Sequence, residues 1–169
     1  MVWLDLGGRA CSVGALYSQL SGALGQQDEL VGSADTAILT LLRRLRQPLW
    51  IMLDDYPRDC DAELDACLDM LLDIGPTSVS WWVSSRRQPA WKLPRLLLQG
   101  HLCELDAEAL AFTEDELERM LAAQRMALSP ESFQQLHRGM EGWPAGVCLM
   151  LLGADEQALR ERLVAGTPL

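Results

Sequence analysis

The feature that most constrains this chain is the stretch from Leu49 to Tyr56, an apolar run that ends in two adjacent carboxylates, Asp54 and Asp55. A short run of large apolar residues predicts a buried strand of a parallel sheet. The carboxyl end of such a strand is where α/β proteins hold ligands and Mg²⁺, so the two acids form a candidate metal and catalytic site. Aspartate is also common where a strand turns, because its side chain bonds the local backbone, and that structural role stays open.

Strand-like and helix-like segments alternate along the first two thirds of the chain. Strands are predicted over residues 2–6, 49–56, 78–85 and 101–105, with amphipathic helices over 12–24, over 34–46 and after a cap at Asp61. This alternation predicts an α/β fold with a mostly parallel sheet and helices on both faces. The remainder is expected to be helical. We therefore predict two domains, an α/β core over residues 1–108 and a small helical subdomain over residues 109–169.

Four helix start signals mark the predicted helical subdomain. Thr113 and Glu116 have the spacing of a capping box, in which each residue's side chain bonds the other's backbone. Ser129 is followed by a proline, which is the order of a cap and a first helical residue. Pro144 is placed to begin another helix, and a last one is predicted to begin at Asp155.

Charge and composition exclude several classes of protein. The net charge of −10 repels a phosphate backbone, so no direct contact with DNA or RNA is expected. No apolar run reaches about 18 residues, so no membrane span is expected. The five cysteines are odd in number and, with only two histidines, lack the spacing of a zinc site. Buried thiols in a reducing compartment are expected instead, which favours a cytoplasmic protein.

Arg86 directly follows the strand predicted over residues 78–85, so we expect it at the same edge of the sheet as the two acids. In a nucleotide hydrolase, Asp54 would hold Mg²⁺ through water, and Asp55 would orient or deprotonate the attacking water. A cation at Arg86 could sense a γ-phosphate or pair with one of the acids. A solvated arginine with neither role is the simpler alternative.

A phosphate-binding loop is missing from these 169 residues. No Gly-x-x-x-x-Gly-Lys-Ser/Thr motif occurs, and the segment Gly7-Gly8-Arg9-Ala10 lacks both the lysine and the hydroxyl. The single lysine, Lys92, is flanked by prolines. Backbone amides around the phosphates and a lysine on the terminal phosphates supply most of the nucleotide affinity in that class. Tight nucleotide binding by these residues is therefore not expected.

Five blocks of sequence, in order from about Val2 to Leu152, resemble the MalT-like transcription regulators. These are ATP-dependent activators of the LuxR family, and their N-terminal part is a signal-transducing P-loop NTPase of the STAND type. The blocks are Val-Trp-Leu-Asp-Leu, Leu-Trp-Ile-Met-Leu-Asp-Asp-Tyr, Val-Ser-Ser-Arg-Arg-Gln-Pro, Leu-Cys-Glu-Leu-Asp-Ala-Glu-Ala-Leu-Ala-Phe-Thr-Glu-Asp-Glu-Leu and Glu-Gly-Trp-Pro-Ala-Gly-Val.

The resemblance implies a role for each matching residue. Asp54 matches the Walker B acid that holds Mg²⁺, Asp55 matches the catalytic acid beside it, and Arg86 matches a sensor arginine. The segment containing Trp143 and Pro144 is similar to the family's Gly-x-Pro motif, whose proline packs on the adenine, which makes both residues candidates for cofactor binding. Initiation of a helix is the structural alternative for Pro144, and that role holds in either case.

The chain also departs from the family's pattern. It begins where the family's second core strand begins, so the first core strand and its phosphate loop are expected to be absent. In the family, that strand lies between the strands predicted here over 78–85 and 101–105, and its loss should leave an uncovered sheet edge. We therefore expect a protein partner or self-association at this edge. No cofactor is expected, since ATP and Mg²⁺ would bind only if a phosphate loop exists upstream.

Three hypotheses for function follow. The first is a regulatory, NTPase-derived domain of a LuxR/MalT-like transcription regulator that acts in signal transduction and protein association and is catalytically silent. The second is a genuine ATPase domain whose phosphate loop lies upstream of this chain. The third is a stand-alone adaptor that binds another protein. Whether the chain is an enzyme stays open between them.

Overall fold

A computed structural model describes residues 1–26, 32–59, 62–153 and 156–165 of the chain. They form two compact units, Met1–His101 and Leu102–Leu169. The division falls seven residues before the boundary that we predict after residue 108. Within the described ranges, no helix is both long enough and apolar enough to cross a lipid bilayer.

The first unit is an α/β domain. Its elements, in chain order, are β1 (Val2–Asp5), α1 (Val13–Ala23), α2 (Ala34–Arg43), β2 (Leu49–Tyr56), α3 (Ala62–Ile74), β3 (Val79–Ser85) and α4 (Leu93–Leu98). The strands form one sheet in the order β1-β2-β3, and both strand pairs are parallel. The predicted α/β class and the parallel sheet are confirmed. The cap predicted at Asp61 lies outside the described residues.

Helices α1, α2 and α3 pack on a single face of the sheet, whereas the sequence predicted helices on both faces. Side chains alternate between the two faces of a strand, and Leu4 and Ile51 point into a core shared with α1, α2 and α3. Trp3, Trp50 and Trp82 stand on the opposite face and are exposed. The three strands follow one another in one direction across the sheet. Right-handed crossovers then place both helical connections on the same side.

The prediction of a strand over residues 101–105 is wrong. This segment has no regular secondary structure, and its side chains are mostly exposed. A strand is stable only when its backbone N–H and C=O groups pair with a neighbour, and among the described residues β3 pairs with β2 alone. Residues 101–105 pair with neither free edge of this sheet, so their alternating pattern does not become a strand.

The second unit is helical, as the sequence predicted. Its helices are α5 (Glu114–Ala123), α6 (Pro130–Gly139), α7 (Pro144–Leu151) and α8 (Glu156–Ala165). The capping box is present, since the Thr113 hydroxyl accepts from the N–H of Glu116 and the Glu116 carboxylate accepts from the N–H of Thr113. Ser129 caps α6 and Pro144 begins α7. Asp155 lies outside the described residues.

Candidate functional site

The carboxyl ends of the three strands form one edge of the sheet, and the candidate residues Asp54, Asp55 and Arg86 meet there. They line a surface cavity of about 520 Å³ together with Asp5, Gly7, Ser84 and Ser85. Asp5 stands beside Asp54 because the two are register partners in β1 and β2. The parallel arrangement, which aligns strand ends of the same kind, is what gathers these polar groups.

Asp54 is fixed by hydrogen bonds from two donors. The Ser84 hydroxyl donates to Asp54 Oδ1 over 2.5 Å, and the backbone N–H of Asp55 donates to the same oxygen over 3.1 Å. The Asp55 N–H also lies 2.8 Å from Ser84 Oγ and donates to it. These three bonds close a ring that ties the end of β2 to the end of β3.

Asp55 has a left-handed backbone conformation, with φ of 48°. The pairing of β2 with β3 is irregular between Leu53 and Tyr56, so the strand bulges at the acid pair and re-aims the Asp55 side chain. Aspartate is among the few residues that tolerate a positive φ. Its Oδ1 lies 3.2 Å from Arg86 Nε, and because this ion pair is largely exposed it contributes about 0.2–1 kcal/mol.

The turn after β1 approaches the acid pair from the other side. Gly7 donates its N–H to Asp5 Oδ1 over 2.8 Å, and Gly8 donates its N–H to the Asp55 carbonyl over 2.8 Å. Both glycines have positive φ, 59° and 61°. A β-carbon on Gly8 would lie 2.8 Å from Asp55 Oδ2, so any side chain here would displace that carboxylate, and the positive φ separately favours glycine.

A polar cluster below the site anchors the chain that follows Arg86. The buried Tyr56 donates its hydroxyl to Asp65 Oδ1 over 2.9 Å, and Trp91 donates its indole N–H to the same oxygen over 2.9 Å. The two rings meet edge to face, with centroids 5.2 Å apart. One turn further along α3, Asp69 accepts from the backbone N–H and the ammonium of Lys92. The segment leaving β3 is thereby held against α3.

Trp143 and Pro144 belong to the second unit. Trp143 occupies the N-cap position of α7 and Pro144 the first helical turn, so the structural role of the proline is observed. The Trp143 ring lies over Gly146, where a β-carbon would come within 2.4 Å of it. The ring stays 55% exposed. Contact of either residue with an adenine stays a prediction.

Asp54 is the cavity residue that the sequence predicts as a magnesium ligand. Asp54 Oδ1 already accepts two hydrogen bonds. In P-loop NTPases the remaining Mg²⁺ ligands are a phosphate-loop hydroxyl and the phosphates themselves. Within the described ranges, no group of three or more His, Cys, Asp or Glu side chains is placed to hold a metal ion.

Sequence reasoning missed three contributors to this edge, namely Ser84, Asp5 and the Gly7-Gly8 turn. Ser84 is one residue before the end of β3, and a hydroxyl at the end of a strand next to an acidic one was the available signal. Asp5 has the same position on β1 that Asp54 has on β2. The approach of Gly8 to Asp55 depends on the bulge and had no signal in the sequence.

Comparison with known proteins finds that the chain is similar to short parts of larger proteins. No protein-family model matches it. Over 103 residues it is 31% identical to the serine/threonine-protein kinase PknK of Mycobacterium tuberculosis. These residues make up 60% of this chain and 9% of the kinase. Over 113 residues it is 28% identical to the HTH-type transcriptional regulator MalT of Vibrio parahaemolyticus, covering 66% of this chain and 12% of the regulator.

MalT of Serratia proteamaculans is 23% identical over 111 residues, again with 12% of the regulator covered. The chain therefore spans about a tenth of the length of these relatives. The similarity to MalT-type regulators extends over about two thirds of the chain and supports a relationship to part of such a protein.

Proposed function

We propose that this chain is a regulatory domain derived from the NTPase module of MalT-like transcription regulators. It acts in signal transduction through protein association, and it neither binds ATP tightly nor hydrolyses it with the residues present here. Asp54, Asp55 and Arg86 keep the positions of a nucleotide site but serve to hold the edge of the sheet together.

The observation that carries this proposal is the use of the acid pair within the protein. Asp54 Oδ1 receives the Ser84 hydroxyl and the Asp55 N–H, while Asp55 pairs with Arg86. These contacts, together with the bond from Gly8 to the Asp55 carbonyl, link the ends of all three strands. These contacts support a structural role for the two acids.

The charge of the cavity also disfavours a nucleotide. Three carboxylates, those of Asp5, Asp54 and Asp55, line it beside one guanidinium, that of Arg86. A triphosphate entering without bound metal would meet net like charge at close range. The sequence offers neither a glycine-rich phosphate loop nor a lysine in this segment to reverse that balance.

Calorimetric titration of the chain with ATP and Mg²⁺ tests the proposal. We expect no saturable heat, and micromolar binding would refute a silent domain. Arg86→Gln serves as the matched variant. If the site is structural, Arg86→Gln lowers the melting temperature of the first unit and leaves the titration unchanged. If the site binds nucleotide, the variant weakens the measured binding.

A second candidate function is a genuine ATPase that needs a phosphate loop from outside these residues. The convergence of Asp54, Asp55 and Arg86 on one cavity favours it. Its test is ATP hydrolysis by the longest protein encoded at this locus. Activity that is lost in Asp55→Asn and retained in Thr113→Ser would establish it, whereas hydrolysis unaffected by Asp55→Asn would exclude it.

A further inference from the structure

The helix-free face of the sheet carries an aromatic notch. Trp3, Met52 and Trp82 are register partners on β1, β2 and β3, so they stand in one row across this face. Trp3 is 55% exposed and Trp82 is 46% exposed, whereas the shorter Met52 between them is partly buried. Trp50, 51% exposed, stacks on Trp82 with ring centroids 5.7 Å apart. The notch thus has Trp3 as one wall, the Trp50–Trp82 pair as the other, and Met52 as its floor.

The dimensions of the notch fit the side chains of one α-helix. Trp3 and Trp82 stand on β1 and β3, two strand positions apart, which places their α-carbons roughly 10 Å from each other. A helix with its side chains is about 10–12 Å across, so a single helix would lie on top of the indoles, along the strands, with one stripe of its side chains reaching down to Met52. Parallel sheets are ordinarily covered on both faces, and helices are the usual cover.

The exposed apolar area is of the size found at interaction sites. Three indoles that are each about half exposed present roughly 250–350 Å² of surface, because an aromatic side chain offers about 150–250 Å² in all. The largest apolar patch of a typical monomer covers about 300–600 Å² and often has a function. Tryptophan is also the residue type that most often dominates the energy of a protein interface.

Charge indicates the chemistry of the occupant. The next row toward the carboxyl edge of the same face holds Asp5 and Asp54, which are register partners, with Ser84 bonded to Asp54. Successive rows on one face are about 6.6 Å apart, close to the 5.4 Å pitch of a helix. A helix whose aliphatic side chains fill the notch would therefore place its next turn over two carboxylates. A lysine or arginine there is favoured and an acid is disfavoured.

We propose that this face docks an amphipathic helix of a partner protein, with an aliphatic stripe over Met52 and a basic residue one turn further, over Asp5 and Asp54. The proposal deepens the protein-association role given above and rests on it. Asp5 and Asp54 also line the cavity that the nucleotide titration tests, but Trp3 does not, so a failure of the peptide experiment at Trp3 and a failure of the nucleotide experiment are distinguishable.

A pair of fluorescein-labelled helical peptides provides the probe. Both carry leucines at helical spacing on one face, and the other face carries lysine in one peptide and glutamate in the other. Fluorescence anisotropy during titration with the intact chain is expected to give saturable binding of the lysine peptide and at least tenfold weaker binding of the glutamate peptide. Equal binding of the two peptides, or no binding of the lysine peptide, would overturn the proposal.

Two matched variants locate the binding. Trp3→Ser removes one wall, whereas Trp143→Ser removes an equally exposed tryptophan of the second unit. We expect Trp3→Ser to weaken the binding of the lysine peptide at least tenfold, while the circular dichroism spectrum of this variant stays that of the parent chain. Trp143→Ser is expected to leave the affinity for the peptide unchanged. Equal loss in both variants would place the binding elsewhere. A dimer of the unmodified chain in light scattering that Trp3→Ser dissolves would assign the face to a second copy instead.

Discussion

Gly8 and Asp55 approach each other so closely that a β-carbon on Gly8 would lie 2.8 Å from Asp55 Oδ2. The other oxygen of the same carboxylate, Oδ1, pairs with Arg86. Gly8 and Asp55 both have positive φ. The acid is thus enclosed between the turn after β1 and the end of β3. Replacing Gly8 forces the carboxylate away from its guanidinium partner.

Two neighbouring glycines provide a matched test of this contact. Gly7→Ala and Gly8→Ala each place a side chain at positive φ, which costs about 1–2 kcal/mol. A β-carbon on Gly7 meets no atom within 4 Å, so only Gly8→Ala also displaces Asp55. We expect Gly8→Ala to reduce the free energy of unfolding by about 0.5–1 kcal/mol more than Gly7→Ala does, which is the scale of an exposed ion pair.

Urea unfolding followed by tryptophan fluorescence measures this difference. In an Asp55→Gly background the carboxylate is gone and the positive φ is kept, so the two alanine substitutions should become equal. A difference that persists in that background would show that Gly8 is required for a reason other than Asp55.

The ion pair between Lys92 and Asp69 predicts how the Asp69 carboxyl titrates in acid. The Lys92 side chain, and then its backbone N–H, holds the pKa of Asp69 below its ordinary value of 3.8. Lys92→Gln removes the ammonium and keeps the backbone donor, so the pKa of Asp69 should rise part of the way back. Arg95→Gln is the control, since Arg95 pairs with Asp73 and affects Asp69 least. Carboxyl-detected NMR titration checks both variants.

The lowered pKa of Asp69 also predicts how the stability of the fold changes with pH. Because the pKa of Asp69 is lower in the folded chain, its stabilising contribution is present above the ordinary value and is lost as the pH falls below it. The unfolding midpoint should therefore fall less steeply in Lys92→Gln than in the parent chain as the pH is lowered from about 4. A steeper fall would contradict the assignment.

The capping box of α5 predicts a graded effect on the second unit. Thr113→Ala removes the acceptor for the Glu116 N–H and should cost about 1 kcal/mol, whereas Thr113→Ser keeps the hydroxyl and should cost much less. Hydrogen exchange of the α5 amides measures the loss locally. Equal protection in the alanine and serine variants would exclude a role for the hydroxyl.

The Glu116 carboxylate, which is the other half of the capping box, changes its charge with pH. Hydrogen bonds from the Thr113 N–H, and then from its hydroxyl, lower the pKa of Glu116 below 4.5. The contribution of Glu116 to the helix is therefore complete above pH 4.5 and is lost as the pH falls further. Glu116→Gln has no charge to lose, so α5 protection in this variant should depend less on pH in that range.

The described cysteines divide into two buried and two exposed thiols. Burial raises the pKa of Cys67 to about 11, with the charge of Asp35 adding to the effect, and burial also raises the pKa of Cys11. Cys103 and Cys148 are exposed. In Cys60→Ser, which removes the thiol outside the described residues, Ellman's reagent at neutral pH should modify two thiols rapidly and two only on unfolding. Rapid modification of three or four would contradict the burial of Cys11 and Cys67.

Local signals in the sequence predicted most of the elements. The apolar run at 49–56 and the β-branched and aromatic run at 78–85 are strands, and Ser12, Thr113 and Ser129 cap helices as their spacing predicts. These features depend on hydrogen bonds and side-chain periodicity within a few residues. Residues 101–105 show where that logic fails, because a short alternating run becomes a strand only beside a partner.

By itself, the sequence determined that Asp54, Asp55 and Arg86 lie at the carboxyl ends of strands of one parallel sheet, which meet at a common edge. Only the tertiary structure decided what surrounds them. The order β1-β2-β3 sends both right-handed crossovers over one face and leaves Trp3, Trp50 and Trp82 exposed on the other. The bulge in β2 turns Asp55 toward Gly8 and Arg86. Both outcomes depend on contacts between residues distant in the chain, which local patterns do not specify.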